Sequence, residues 1–308
     1  MTVALLHHPL CLEHRLHATH PEAPARILSV MDALAREGLL DDLTVREDFP
    51  PVEPADVARV HPQCHVEGLA ALAPREGVRH VDSDTFMNPF TLQAAEYAAG
   101  AATAALDGIL DGRYQRAFCA VRPPGHHAES TIPMGFCFLN SVAIAARRAL
   151  DVHGLDRVAI LDFDVHHGNG TAEIFAEDTR VLVASSFQHP FYPDRWTEAC
   201  APSQCFTPLP AGTASTAFRS AIERDWLPAL DAFRPQLVIV SAGFDGHHVD
   251  PLGDLQLEDG DFLWITRSIR AAAEATASGR ILSMLEGGYD LDALGRCAAL
   301  HVAALLGK

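Results

Sequence analysis

The strongest constraint on this chain is where its unusual residues fall. Short, β-branched apolar runs alternate with Ala-rich stretches, and five of those runs end in polar, mostly Gly-rich turns. RPPGHH (122–127) follows the run 117–121. DFDVHHGNG (162–170) follows 157–161, and SSF (185–187) follows 181–184. SAGFD (241–245) follows 237–240, and EGGYD (286–290) follows Ile281–Leu285. With Val3–Leu6, these runs predict strands. The stretches 25–37, Thr91–Leu110, 141–152, 217–230 and 258–278 predict helices. Such alternation predicts an α/β fold with a largely parallel sheet covered on both faces. Open α/β sheets bind ligands beyond the C-terminal ends of their strands. The five turns are therefore expected to converge on one site.

The 308 residues carry no repeat, low-complexity tract or linker, so residues 1–308 are expected to form a single domain. Lys plus Arg is 23 and Asp plus Glu is 40, a net charge of −17. That balance disfavours direct contact with nucleic acid or anionic membranes and suits cationic partners. No stretch approaches the ~18 apolar residues of a membrane span. The seven cysteines are an odd number without a C-x-x-C pair, and the N-terminus lacks a basic leader. Free thiols in the cytoplasm are the expectation.

Asp164-x-His166 offers a carboxylate and an imidazole two residues apart, able to face one side of an extended or turning segment. A third ligand must come from another strand end, and Asp245 is the best placed. One His and two Asp leave a fourth position open, as a catalytic zinc needs. The mixed N/O set would also accept Fe²⁺ or Co²⁺. A lone D-x-H is usually structural. Asp162 and His167 crowd the same turn, however, and so many ionisable groups together call for a cation or for hydrogen-bond partners.

His126 and His127 follow a turn stiffened by Pro123 and Pro124. Two adjacent imidazoles suit a hydrolase that takes a proton from water and returns one to a leaving amine. Asp162 could hold one ring and Asn169 the other. A carboxylate favours the charged imidazole and an amide does not, so the pair can split into a basic and a near-neutral member. Tyr289, in EGGYD, presents a phenol donor where an oxyanion could develop. Cys137, in apolar GFCF, reads as core. There is no G-x-S-x-G, Walker motif or G-x-G-x-x-G.

These residues resemble the histone deacetylase/acetylpolyamine amidohydrolase family, most closely its class II and bacterial members. The resemblance runs from HPEAPARI (20–27) and DSDT (82–85) through RPPGHHA, GFCFLN, DFDVHHGNGT, SAGFD and DPLGDLQL to EGGYD. It implies a three-layer α/β/α arginase/deacetylase-like fold with a mostly parallel eight-stranded sheet. It implies Zn²⁺ on Asp164, His166 and Asp245, with His127 as general base and proton donor and His126 as its electrostatic partner. Asp162 would support His126, Asn169 would support His127, and Tyr289 would polarise the amide carbonyl. Gly135, Phe136, Tyr192, Leu252 and Gly288 would line or shape the acyl-lysine site, with Asp84 at its rim. A structural K⁺ is implied near Asp162, Asp164, His166, Ser185 and Ser186, and a second near Phe175.

The loop 185–196 departs from the family pattern. Phe187 stands where many members have His, Tyr192 where Phe is common, and Asp194-Arg195 where a Pro-Gly turn is usual. Leu252 occupies a position where polyamine-selective relatives carry an acid, which weakens a polyamine reading. The expected activity is hydrolysis of acyl-lysine amides in peptides or proteins. The alternatives are an acetylpolyamine amidohydrolase, a catalytically inactive acyl-lysine binder and a dinuclear manganese ureohydrolase. The last would need further acids near His166, Phe244 and His247. The oligomeric state is left open, a homo-oligomer included.

Overall fold

A computed structural model describes residues 2–308; Met1 of the expected domain lies outside the described residues. In chain order the elements are β1 (Val3–Leu6), α1 (Ala25–Arg36), β2 (Leu43–Arg46), α2 (Pro54–Val57), α3 (Gln63–Leu72), β3 (Arg79–His80), β4 (Phe86–Met87), α4 (Thr91–Leu110), β5 (Arg116–Cys119) and α5 (Ser141–Asp151). There follow β6 (Val158–Asp162), α6 (Asn169–Ile174), β7 (Val181–Gln188), β8 (Gln204–Leu209), α7 (Ser215–Phe233), β9 (Leu237–Ala242), α8 (Asp259–Thr276), β10 (Ile281–Leu285) and α9 (Leu291–Leu306).

Eight strands form one sheet in the order β2-β1-β5-β10-β9-β6-β7-β8. Every neighbouring pair in it is parallel. Strand side chains alternate between faces. Ala4, Cys119, Ile160, Val183, Ile239 and Met284 pack with α4 and α5 on one face. Leu5, Phe118, Ala159, Leu161, Val240 and Leu285 pack with α1, α7, α8 and α9 on the other. Both faces are therefore covered, and the expected α/β/α layering is present. Buried parallel strands read as continuous apolar runs for this reason.

Several details differ from expectation. The pattern places SSF in a turn, but β7 continues through Ser185, Ser186 and Phe187 because β8 pairs with it from Val183 to Gln188. The edge strands β2 and β8 are not visible in the apolar pattern, because Thr, Arg and Gln interrupt runs that are only part-buried. Helix α9 is capped by Asp290, whose side chain accepts from Ala293 N–H at 2.9 Å, an N-cap signal that lies outside the apolar pattern. Among the described residues no helix is long and apolar enough to cross a membrane, and all seven cysteines are free.

The chain runs outward from β6 to β7 and β8, then returns to place β9 on the other side of β6. That reversal is the switch point at which open α/β sheets bind ligands. It makes β5, β10, β9 and β6 consecutive, so the turns after these four central strands meet. β3 and β4 form a separate antiparallel ribbon, and the segment joining them carries Asp84 to the same rim.

Candidate active site and metal centre

Asp164 and His166 lie on the loop leaving β6, and Asp245 lies three residues beyond β9. One donor atom from each falls within 4.8 Å of the others. His166 Nδ1 is 3.1 Å from Asp164 Oδ1 and 3.2 Å from Asp245 Oδ2. The outer edges of the carboxylates are held by backbone donors. Asp164 Oδ2 accepts from Gly287 N–H at 2.8 Å, and Asp245 Oδ1 from Val165 N–H at 2.9 Å. Asp245 Oδ2 is buried with no hydrogen-bond partner. The glycines of two motifs make room for this cluster. A Cβ on Gly243 would stand 2.1 Å from Asp164 Oδ2, and one on Gly287 would stand 2.0 Å from Asp245 Oδ2.

The electrostatics point to a cation. Burial, then Asp164, pushes the Asp245 carboxyl up to about 7. Burial opposes charge on Asp164 too, but His126 and His166 hold it well below the ordinary carboxylate range. Burial also opposes charge on His166, yet the hydrogen bond to Asp164 and the facing Asp245 carboxylate raise it to about 10. Without a metal, protons must supply positive charge between the two acids. A divalent ion would supply it and give Asp245 Oδ2 a partner, and a one-nitrogen, two-carboxylate set suits such an ion. A second cluster, His247, Asp259 and Cys297, has similar spacing. Its acid is already met by Arg296 at 2.8 Å and His247 at 2.9 Å.

His126 and His127 sit on the turn after β5 with ring centroids 4.0 Å apart. His126 Nδ1 bonds Asp162 Oδ2 at 2.9 Å, and His127 Nδ1 bonds Asn169 Oδ1 at 2.8 Å. Both expected partners are thus in place. Burial opposes charge on His126, but Asp162, Asp164 and Glu286 outweigh it and hold its pKa well above the ordinary value. His127 is driven well below that value by burial, His126 and His166. The two imidazoles are thus pushed in opposite directions, one toward the charged form and one toward the neutral form, a separation that suits acid–base work.

A cavity of about 610 Å³ opens above these rings. Phe136, Tyr192, Tyr289, Leu252 and Asp84 line it, with His127 and His166 at its floor. Tyr192 stands edge-on to His127 at 5.4 Å, and Phe136 edge-on to Tyr289 at 5.9 Å. Gly135 and Phe136 both have positive φ, +56° and +68°. A Cβ on Gly135 would stand 2.4 Å from the His127 ring. The left-handed backbone of Phe136 is strained, and its N–H donates to Thr85 Oγ1 at 3.1 Å. Burial raises the Tyr289 phenol well above its ordinary pKa, so it is a donor at neutral pH. Burial and Asp82 raise Asp84. Gly288 is set behind the wall, and its carbonyl accepts from Arg26 Nε at 2.7 Å.

Of the expected potassium residues, Asp162 Oδ1 accepts from Asp164 N–H at 3.1 Å, and Ser185 Oγ contacts His167 Nδ1 at 2.9 Å. Ser186 Oγ is buried without a partner. Phe175 carries the Arg147 guanidinium 4.8 Å over its ring.

Several supporting residues lie within the motifs, and sequence reasoning gives them no role. Glu22 is buried between Arg122, at 2.6 and 2.5 Å, and Arg26, at 3.2 Å. Arg26 also donates to the Glu286 carbonyl and lies 4.9 Å over the Tyr289 ring. Glu286 Oε2 accepts from Gly125 N–H at 2.7 Å and His126 N–H at 3.2 Å. The available signal is charge within otherwise apolar or Gly/Pro-rich motifs, which requires a partner if it is buried.

A model of the histone deacetylase domain matches residues 20–305. The chain belongs to the histone deacetylase family. It is 39% identical over 280 residues to a histone deacetylase-like amidohydrolase of Pseudomonas aeruginosa, covering 89% of this chain and 72% of that protein. It is 36% identical over 300 residues to a probable deacetylase of Archaeoglobus fulgidus, covering 95% and 82%. The crystal structure of the HDA15 HD domain superposes with a TM-score of 0.93 at 31% identity, over 100% of this chain and 88% of that one. As a member of the histone deacetylase family, the chain is a hydrolase acting on amides.

Proposed function

We propose that residues 1–308 form one catalytic domain, a zinc-dependent deacylase of acyl-lysine side chains. The observation that carries this reading is the unpartnered, buried Asp245 Oδ2 within the Asp164–His166–Asp245 cluster, facing a split histidine pair at the floor of a cavity. Bound there, zinc would polarise the scissile carbonyl and lower the pKa of a water. His127 takes the water's proton on Nε2, because its Nδ1–H is committed to Asn169, and returns it to the departing lysine amine. His126, paired with Asp162, supplies positive charge beside the developing oxyanion, to which Tyr289 donates its phenol proton in a hydrogen bond. Phe136 and Tyr192 flank the acyl-lysine stem, Gly135 lets the backbone pass close against the His127 ring, and Leu252 and Asp84 meet the substrate at the rim. Gly288 acts from behind, letting the Tyr289 backbone approach. A potassium ion at Asp162, Asp164, His166, Ser185 and Ser186 would give Ser186 Oγ its missing partner. Free thiols support the cytoplasm as its place.

Tyr289→Phe is expected to lower kcat by about 10²–10³-fold with zinc content unchanged. Parental turnover in that variant would remove the role given to the phenol. The substrate reading is tested by comparing an acetyl-lysine peptide, longer acyl-lysine peptides and acetylspermidine on metal-assayed protein. Apolar Leu252 on the cavity wall favours the peptides. A preference for acetylspermidine would instead make this a polyamine deacetylase, and stoichiometric zinc with no turnover would make it an acyl-lysine binder.

A further inference from the structure

Arg195, on the segment between β7 and β8, replaces the Pro-Gly turn that the family resemblance leads one to expect. Its Nε and Nη2 donate to Glu129 Oε1 and Oε2 at 2.8 and 2.7 Å. The arginine side chain is 45% exposed and the acid only 4%. Glu129 Oε1 also accepts from Asn169 Nδ2 at 2.8 Å, and Asn169 Oδ1 accepts the Nδ1 proton of His127 at 2.8 Å. A continuous chain of hydrogen bonds joins an exposed residue of the loop that carries Tyr192 to the ring of His127.

The chain has a direction. An amide can turn over, exchanging its oxygen and nitrogen at little steric cost. Here the Asn169 NH₂ group faces acceptors: Glu129 Oε1, the His127 carbonyl at 3.4 Å and Met134 Sδ at 3.3 Å. Turning it over would set a carbonyl oxygen against a carboxylate and aim NH₂ at His127 Nδ1. The imidazole would then carry its proton on Nε2, where the base must be free. The strongest of those acceptors is Glu129, because it is ionic. Its backbone is fixed as well. Glu129 N–H donates to Ile132 O at 3.0 Å, and a Cβ on Gly170 would stand 2.2 Å from the neighbouring Ala128 carbonyl.

We propose that Glu129 is a positioning residue that fixes the His127 tautomer through the Asn169 amide, and that Arg195 anchors Glu129 and ties the mouth loop to the base. Tyr192 lies on the same loop, three residues before Arg195. Substrate seating against Tyr192 and the readiness of His127 therefore share one anchor. The inference rests on His127 being the base.

The test is a donor–acceptor exchange, assayed with an acetyl-lysine peptide. Asn169→Asp alone sets two carboxylates against each other and is expected to lower kcat by about 10–100-fold. Adding Glu129→Gln restores a donor facing an acceptor, with the second oxygen of the introduced carboxylate still accepting from His127, and is expected to recover most of that loss. Glu129→Leu should lower kcat with KM near parental, whereas Arg195→Met should raise KM more than it lowers kcat. The proposal is overturned if the Asn169 and Glu129 changes combine additively, or if Glu129→Leu keeps parental kcat. His127→Ala separates the two levels. If it is inactive while the exchange shows no coupling, only the positioning role fails. If it stays active, the reading of His127 as base fails.

Discussion

Replacing His127 with Ala is expected to lower kcat on an acyl-lysine peptide by about 10²–10⁴-fold, the usual range for a positioned general acid–base. Zinc content and unfolding temperature should stay near parental, because His127 is not among the three proposed ligands and its ring lines the cavity. The expectation rests on environment as much as on residue type. Burial, His126 and His166 all disfavour an imidazolium at His127, and the Asn169 carbonyl holds its proton on Nδ1. A steady-state assay with metal analysis on the same sample checks it. Undiminished turnover would assign the proton transfers elsewhere.

The second large effect is structural. Glu22→Gln is expected to destabilise the fold by about 3–5 kcal/mol at neutral pH, the cost of breaking a buried ion pair from one side. Arg122 and Arg26 would be left buried with reduced compensation, and Arg26 also holds the EGGYD turn through the Gly288 and Glu286 carbonyls. Burial would raise the Glu22 pKa, but Arg122 and His14 hold it well below its ordinary value of 4.5. The folded state thus binds fewer protons than the unfolded chain. The stabilisation from Glu22 is complete above that ordinary value and is lost as pH falls through the depressed folded-state value. Denaturant melts of parent and variant should differ most near neutrality and converge in acid. A constant gap across that range would mean that the carboxylate charge is not the source.

How far the sequence reaches is clear from particular residues. The central strands are fully buried, so β6 and β9 stand out as apolar runs up to Leu161 and Val240, and β10 as a run broken only by Ser283. The polar residues beyond them, Asp164, His166, Asp245, His126 and His127, mark the site because nothing in a core would tolerate them. The edge strands escape notice because half-exposed backbone carries no such pattern, and β7 outruns its apolar stretch because β8 supplies its partners. Glu22 and Arg122 are far apart in the chain, as are Glu129 and Arg195. Their pairing depends on the packing of loops, and neither spacing nor periodicity encodes that. Residue type alone also cannot place Gly288, which reads as a wall residue and lies behind the wall.

The central claim is that Asp164, His166 and Asp245 hold one zinc ion that this chain uses to hydrolyse acyl-lysine. Metal-depleted protein titrated with Zn²⁺ while an acetyl-lysine peptide is assayed tests it most directly. No turnover is expected without metal, recovery should saturate at one zinc per chain, and Asp245→Ala should show no tight uptake. Turnover in the metal-free protein, or full zinc uptake and activity in Asp245→Ala, would contradict it.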